Sequence, residues 1–416
     1  MDGSHGGRCP VSAPVIEAEA RGFRAPGTTF MVAGALIGAI GAYLFQVYGG
    51  RALGPEAFAP IAALWTMFFI LATVLLIPVE QYVTREVASG RKAIPRDLVP
   101  AGAMAGIGAL LGVGFIWFTL EELFEGSWQY LAQIVLLMVG YGLLMVGKGV
   151  FAGRRVFAGV GWILIVESVA RLVAGVIAIQ LIGTAESLGW AMVLGGFAAL
   201  GTRWWRRDRG DARERAAPAS RFLGGYVGGS ASSQVLLAAA PIAVWALGGG
   251  DALISIVFVT FTLFRAPMTL ILALQGRVLP ALVTLAGAGE HHRLAQIARR
   301  VVSLGAVLAV LGGLVGWLIG PEVVTALFGE EFAPTSIVAM FAAAGVMAAA
   351  ASQITGQVLV AEGRTSRLSL AWFGGLVAGV IALLVLGGEP DTRVAVSFAI
   401  GEAVALVLMG ALAIRR

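Results

Sequence analysis

Residues 252–274 read ALISIVFVTFTLFRAPMTLILAL and decide the fold. The stretch exceeds the roughly 20 apolar residues that a helix needs to cross a bilayer. Its single charge, Arg265, lies near the centre, where an arginine costs about 2.5–3.5 kcal/mol on insertion scales. Pro267 has no backbone N–H to donate, so a kink is expected in the same turn. The pattern predicts a membrane helix whose arginine either neutralises a carboxylate on a neighbouring span or lines a polar path through the protein.

The composition extends this interpretation to the whole chain. Of its 416 residues, 58% are hydrophobic and only 13% are charged. The charged fraction is about half that of an ordinary soluble domain. The sequence therefore predicts an all-α polytopic membrane protein with twelve transmembrane helices, at residues 28–48, 57–79, 98–120, 128–147, 159–183, 188–202, 222–247, 252–274, 301–319, 335–360, 368–387 and 394–413.

The twelve spans divide into two halves of six. An offset of 195 residues lays Glu56 over Asp251, and the heptapeptide LVAGVIA occurs in both the fifth and the eleventh span. Six spans repeated in one orientation are typical of a duplicated transporter, with a pseudo-two-fold axis along the membrane normal and a cavity between two lobes. The expected domains are a flexible cytoplasmic tail (1–27), an N-terminal six-helix lobe (28–202), a basic cytoplasmic linker (203–221) and a C-terminal six-helix lobe (222–416).

The positive charges indicate the orientation of the chain. All but four of the 29 lysines and arginines lie in the tail, in alternate connections or at the C-terminus. The exceptions are Arg51 and Arg393 in the opposite connections, and Arg171 and Arg265 within spans. The positive-inside rule then places both termini in the cytoplasm, and this bias accounts for the net charge without nucleic-acid binding. Because nearly all the positive charge is arginine in an Ala- and Gly-rich chain, we expect a bacterial plasma membrane.

Several kinds of site are excluded by what the chain lacks. Its one cysteine, Cys9, lies in the tail, and the adjacent His291 and His292 point apart on a helix with no third ligand nearby. No metal site is therefore predicted. The GxxxxGK(S/T) motif of ATP hydrolysis does not occur in the sequence. We expect a protein that is not an enzyme and needs no cofactor.

Short motifs along the chain resemble those of a known family. They are GAYLF at 41–45, RALGPEAF at 51–58, PVEQ at 78–81, GPE at 320–322, LFGEEF at 327–332 and AEGR at 361–364. In this order they resemble the polysaccharide and oligosaccharide-lipid flippases of the multidrug/oligosaccharidyl-lipid/polysaccharide exporter superfamily.

The resemblance implies a V-shaped pair of lobes that alternates between inward-open and outward-open forms. The implied substrate is a polyprenyl-diphosphate-linked sugar, which moves from the inner to the outer leaflet while its lipid tail stays near the bilayer. Cationic residues in the cavity are implied to meet the sugar diphosphate. Membrane lipids and a polysaccharide polymerase or glycosyltransferases are the expected partners.

Four charges within the spans are the predicted site residues. Glu167 and Arg171 are four residues apart and share a helical face. Either they only neutralise each other, or both belong to the substrate site and Arg171 exchanges its carboxylate for a substrate phosphate. Arg265 is the other predicted substrate-binding residue. Glu402, mid-way along the twelfth span, is either an ion-coupling carboxylate or the static partner of an arginine such as Arg265. On this hypothesis Arg171→Ala and Arg265→Ala each abolish transport at normal protein levels.

Three other functions stay open at this point. Acidic residues alone in the first lobe would favour a multidrug or cation antiporter of the same fold, whereas this lobe holds an acid–base pair. A non-transporting scaffold of a cell-envelope complex has little use for costly charges in the fifth, eighth and twelfth spans. An integral-membrane glycosyltransferase usually needs acids in a sizeable first outer connection, and here residues 49–56 hold one.

Overall fold

The computed structural model describes residues 27–88, 98–207 and 231–414 of the chain. These residues form helices and no strand, and eight of the helical segments are long and apolar enough to cross a membrane. The predicted tail apart from Gly27, and residues 208–221 of the predicted linker, lie outside the described ranges. The all-helical membrane fold expected from composition is confirmed.

We number fourteen α-helices within the described ranges, where residues 231–238 are helical as well. In chain order they are α1 (Thr28–Leu71), α2 (Ile77–Ala88), α3 (Leu98–Phe118), α4 (Leu120–Leu123), α5 (Gln129–Gly153), α6 (Phe157–Leu181), α7 (Ala185–Ala198), α8 (Ala240–Ala246), α9 (Asp251–Phe264), α10 (Ala266–Gly287), α11 (His291–Phe328), α12 (Ser336–Ala361), α13 (Thr365–Val385) and α14 (Pro390–Ile414). Helix α1 covers the first span and, with α2, the second. Helices α9 and α10 together form the eighth.

The first two spans meet at a kink rather than at the predicted loop. Helix α1 continues on both sides of Gly54, which alone departs from helical angles, with φ 76° and ψ 169°. Glycine adopts a positive φ without steric cost, and Pro55 suits the first position of the helix that follows. The predicted connection at 49–56 is wrong, because these residues are helical apart from Gly54; the bare backbone of Gly50 packs close to the ring of Phe328.

The eighth span is interrupted where the sequence predicts a kink. Helix α9 ends at Phe264 and α10 begins at Ala266, so Arg265 is the junction. Pro267 lies in the first turn of α10, where its missing N–H costs no helical hydrogen bond. Under the 195-residue offset, the π-helical turn Ala72–Leu76 of the second span falls within two residues of this junction. Both lobes therefore interrupt their second span at an equivalent depth.

Helix α11 is longer than hydropathy predicts. It runs for 38 residues, His291–Phe328, where a span at 301–319 is expected. At about 1.5 Å per residue it is roughly 57 Å long, against a hydrocarbon core of about 30 Å. Hydropathy detects only the part inside hydrocarbon, whereas the polar turns HHRLAQIARR continue the same helix beyond it.

The helices pack into two lobes. Helices α1–α7 contact one another, and helices α8–α14 contact one another. Contacts between the lobes run mainly from α1 to α9, with smaller ones from α1 to α8, to α11 and to the 3₁₀ turn Glu330–Phe332. We call the end of the molecule that carries Gly54 the closed end, and the opposite end, where the turns with Arg154 and Arg364 lie, the basic end.

Polar and aromatic groups join the lobes at the closed end. Arg51 donates from Nε to the carbonyl oxygen of Leu327 and from Nη2 to that of Ala326, each at 2.6 Å. These carbonyls belong to the last turn of α11, which has no helical partners for them. The rings of Phe58 and Phe258 pack across the same interface with centroids 6.1 Å apart. Arg51 of the first lobe thus helps to hold the closed end together by capping the last turn of α11 in the second lobe.

Two further hydrogen bonds show how deep the closure reaches. Trp245 Nε1 donates to Glu122 Oε2 at 3.1 Å, and the Tyr43 hydroxyl donates to the carbonyl oxygen of Thr262 at 2.8 Å. Tyr43 and Thr262 each lie about 16 Å along their helices from the closed end. Helices α2 and α10, which lead from that depth to the basic end, pack within their own lobes, and in the described ranges neither has an extensive contact with the other lobe. Among the described residues the contacts between the lobes are therefore concentrated toward the closed end, and we call the region between α2 and α10 the interlobe gap.

Removing the Arg51 cap is expected to favour opening of the closed end. Arg51→Ala deletes two hydrogen bonds worth about 1–2 kcal/mol together at this exposed position, which shifts a two-state equilibrium by a factor of about 5–30. The chain has one native cysteine, so a Cys9→Ser background with Phe328→Cys provides a single reporter buried at the interface. Labelling by a membrane-impermeant maleimide should accelerate several-fold in Arg51→Ala and stay unchanged in the surface control Arg293→Ala. Equal labelling rates in all three proteins would contradict the role of the cap.

Candidate functional site

The predicted ion pair of the fifth span is present in α6. Arg171 Nη1 contacts Glu167 Oε1 one helical turn away. A third group, not predicted from the sequence, joins them from α5: the Tyr141 hydroxyl donates to Glu167 Oε1 at 2.5 Å and accepts from Arg171 Nη1 at 3.0 Å. Arg171 is 5% exposed and Glu167 is 7% exposed. The three side chains form a closed network inside the first lobe.

Aromatic rings and a glycine complete the enclosure of Arg171. Its guanidinium carbon lies 5.8 Å from the ring centroid of Phe45 and 5.1 Å from that of Trp65. Such cation–π contacts stabilise a desolvated cation by about 2 kcal/mol. Gly195 of α7 abuts the Arg171 side chain, where any Cβ would collide with it. The expectation that Arg171 faces a cavity therefore does not hold in this conformation, in which the pair is sealed from the interlobe gap.

Arg265 has different surroundings, because it lies at the junction of α9 and α10. Its side chain is partly exposed, and its Nε atom is buried with no hydrogen-bond partner among the described residues. The guanidinium carbon lies 5.9 Å from the ring centroid of Phe261, one turn earlier. Since Tyr43 bonds Thr262 in the adjacent turn, Arg265 lies where the lobes begin to separate. It is a cation at the apex of the interlobe gap.

Glu402 of α14 is fully buried in the second lobe. Neither carboxylate oxygen has a hydrogen-bond partner among the described residues. Arg265 is within electrostatic range, so the predicted association of these residues is through the field rather than through a direct bond. Other buried hydroxyl oxygens of the second lobe are likewise unpaired within the described ranges: those of Ser255, Thr260, Ser352 and Ser397. The interior of this lobe therefore contains several buried polar side chains without a hydrogen-bond partner among the described residues.

The four predicted residues thus form two separate groups. In the first lobe Arg171 forms an ion pair with Glu167. In the second lobe Arg265 interacts electrostatically with Glu402 without a direct bond. Sequence reasoning missed Tyr141, Trp65 and Tyr43, since an aromatic residue in an apolar span carries no signal of which helix it faces. Within the described ranges, no group of three His, Cys, Asp or Glu residues is placed to hold a metal ion.

Comparisons with known proteins bear on the fold. No protein-family model matches the chain. An uncharacterised protein of Mycobacterium tuberculosis strain H37Rv is 26% identical over 393 residues, which cover 87% of this chain and 86% of that protein.

Solved structures with the same architecture are transporters. A multidrug resistance MATE family transporter of the MOP superfamily in its inward-facing conformation superposes with a TM-score of 0.66, at 13% identity, over 93% of this chain and 97% of that one. A MOP superfamily transporter from Pyrococcus furiosus, for which a reverse polarity of the binding pocket and a different function are reported, has a TM-score of 0.64 at 14% identity over 94% and 96%. At these identities the likeness shows the fold, which has twelve transmembrane helices in two six-helix lobes as expected.

Proposed function

We propose that this chain, which has the fold of the MATE transporters of the MOP superfamily, is an alternating-access flippase for a lipid-linked oligosaccharide or polysaccharide precursor. It would carry the polyprenyl-diphosphate headgroup from the inner to the outer leaflet. Glycosyltransferases would supply such a substrate, and a polymerase would consume it.

The observation that carries the proposal is the sign of the charge at the apex of the interlobe gap. Arg265 is a partly exposed residue whose buried Nε has no hydrogen-bond partner among the described residues. A guanidinium fork matches two phosphate oxygens at once, and in a site shielded from bulk water such a charge-assisted pair is strong. The reverse pocket polarity reported for the Pyrococcus furiosus transporter is a precedent for a different function on this fold. A cationic apex favours an anionic headgroup as cargo.

The direction of transport follows from the charge bias of the connections. The positive-inside rule places the basic end in the cytoplasm. The interlobe gap then opens toward the cytoplasm while the contacts of Arg51 and Tyr43 close the outer side. In this inward-facing form the headgroup would enter from the inner leaflet, bind near Arg265 and leave after the closed end opens.

The main competing function is a multidrug or cation antiporter. The buried carboxylates Glu167 and Glu402 favour it, because lipophilic cations are attracted to acidic sites. Against it, Glu167 is bonded by both Tyr141 and Arg171. A non-transporting scaffold is disfavoured because it gains nothing from an arginine whose Nε has no hydrogen-bond partner at the start of a gap.

Reconstitution tests the proposal. Purified protein in proteoliposomes should move a lipid-linked sugar between leaflets, measured as the fraction accessible to an added membrane-impermeant glycosidase. Protein-free vesicles and vesicles with Arg265→Ala protein are the controls. Wild-type vesicles that exchange a lipophilic cation but leave the lipid-linked sugar in its original leaflet would support the antiporter instead.

Glu402 is proposed as the residue that couples transport to an ion gradient. Its carboxylate is buried, unpaired among the described residues and within reach of the field of Arg265, so its charge state can depend on what binds at the gap. Glu402→Gln keeps the shape and removes the charge. We expect its transport to lose its stimulation by an imposed proton or sodium gradient, while Glu330→Gln, an exposed change at the closed end, keeps it. Undiminished gradient stimulation in Glu402→Gln would leave the residue a structural one.

A further inference from the structure

A second cationic site lies far from the interlobe gap, at the basic end of the second lobe. The first turns of α11, the turn between α12 and α13 and the last turn of α14 enclose a cavity of about 170 Å³. Its lining includes His292 and Arg299 of α11, Glu362 and Arg364 of the turn, and Ile414 of α14. None of these residues belongs to the proposed transport path.

The one carboxylate in the cavity is already neutralised. Glu362 is buried, with Oε1 at 3.1 Å from His291 Nδ1 and Oε2 at 3.0 Å from Arg364 Nη1. Such a paired carboxylate forms a floor that does not repel an anion strongly, since its charge is balanced locally. His292 and Arg299 face the same cavity, and neither has a hydrogen-bond or ion-pair partner in the part of the chain that the structure describes. The cavity therefore contains hydrogen-bond donors and a positive charge, those of His292 and Arg299, that no other described residue engages.

The depth of the cavity matches the headgroup layer of a membrane. On α11 the exposed apolar surface starts at Leu304, five residues after Arg299, or about 7.5 Å along the axis. The headgroup layer of a bilayer is about 5–7 Å thick on each side of the hydrocarbon core. Ile414, an exposed apolar residue at the end of α14, borders the cavity on the same level. A ligand there would have a charged part among the arginines and an apolar part beside Ile414.

We propose that this cavity binds the phosphate group of an anionic membrane lipid, or a free phosphate of the same chemistry. Arg299 donates its fork to two phosphate oxygens, and His292 donates to a third. Arg364 stays paired with Glu362 in the floor of the cavity. Basic pockets between transmembrane helices at a membrane face have this character. The site does not depend on the proposed transport function, because none of its residues reaches the interlobe gap.

Arg299 and its neighbour Arg300 provide a matched test. Both are exposed on α11, but only Arg299 lines the cavity. The purified full chain is titrated with phosphatidylglycerol and, separately, with phosphatidylcholine, and bound lipid is counted by native mass spectrometry. We expect phosphatidylglycerol to bind in preference to phosphatidylcholine, Arg299→Gln to weaken that binding about tenfold, and Arg300→Gln to leave it unchanged.

Competition by inorganic phosphate separates the two sources of the ligand. If millimolar phosphate displaces phosphatidylglycerol, the cavity accepts a free phosphate, whereas an unaffected lipid signal assigns it to the headgroup. The proposal is overturned if Arg299→Gln binds as tightly as Arg300→Gln, or if phosphatidylcholine binds as well as phosphatidylglycerol. His292→Gln, a second exposed change, should also weaken binding, which guards against an Arg299 variant that fails to fold. Arg265→Ala should bind phosphatidylglycerol as tightly as the wild type does. The lipid-binding result can therefore be interpreted even if the proposed transport function is wrong.

Discussion

Replacing Arg265 by alanine is expected to abolish transport while the protein stays folded in the membrane. The residue lies at the helix junction, is partly exposed and has no hydrogen-bond partner at Nε among the described residues, so its loss breaks no hydrogen bond of that atom, although Glu402 loses a nearby positive charge. The two charge-assisted bonds that its fork would give a diphosphate are worth about 1.5–3 kcal/mol each. Transport in proteoliposomes should therefore fall by at least about 100-fold.

A conservative substitution separates charge from geometry at this position. Arg265→Lys keeps the positive charge but cannot form the two-pronged contact, so we expect an intermediate rate. Arg293→Ala, which removes an exposed arginine paired with Glu290 at the surface, should transport like the wild type. Wild-type transport by a well-folded Arg265→Ala protein would remove Arg265 from the mechanism.

Replacing Arg171 by alanine is expected to destabilise the first lobe severely. The substitution leaves Glu167 buried with only the Tyr141 hydroxyl to bond it and removes the cation from its aromatic enclosure. Removing one member of a buried ion pair typically costs about 3–5 kcal/mol. The amount of folded protein in the membrane and its apparent melting temperature should both fall. This prediction differs from the expectation from sequence that Arg171→Ala is made at normal levels, since the sequence alone does not indicate that the pair is buried.

A double substitution distinguishes a structural role from substrate contact. Glu167→Gln with Arg171→Met removes both charges and keeps similar volumes, and such neutral replacements of buried pairs are often tolerated. We expect it to recover most of the lost melting temperature. Loss of transport in the recovered protein would support direct contact between Arg171 and the substrate, whereas wild-type transport would limit Arg171 to holding α5 and α6 together. A double variant as unstable as Arg171→Ala would contradict the explanation by an unpaired charge.

Much of the fold was accessible from the sequence, because the membrane imposes simple rules. Apolar length identifies spans, and proline and a costly charge identified the break at Arg265. Helical spacing alone predicted that Glu167 and Arg171 pair, since residues four apart share one face. The loop predicted at 49–56 was wrong because a kink at one non-helical residue, Gly54, joins the two spans. The span predicted from hydropathy was likewise shorter than α11, because hydropathy does not detect the polar turns of the helix that lie outside the hydrocarbon core.

The candidate site was less accessible, because it depends on contacts between helices. Nothing in α5 marks Tyr141 as the partner of a carboxylate on α6, and nothing in α1 marks Trp65 as the cover of Arg171. The exposure of Arg265 depends on where the lobes separate, which is a property of the conformation. Sequence reasoning could identify charges that are energetically unfavourable within a membrane span. Only the packing distinguishes the enclosed Arg171 from Arg265 at the interlobe gap.

The most direct test is equilibrium binding of a polyprenyl diphosphate to the purified protein in detergent, measured against tetraphenylphosphonium as a lipophilic cation. An Arg299→Gln background removes the proposed lipid site at the basic end from the measurement. Saturable binding of the diphosphate that Arg265→Ala weakens by at least about 100-fold, with no competition from the cation, is the predicted result. Tight binding of the cation, with the diphosphate bound equally by Arg265 and Arg265→Ala proteins, would contradict an anionic cargo at the apex of the interlobe gap.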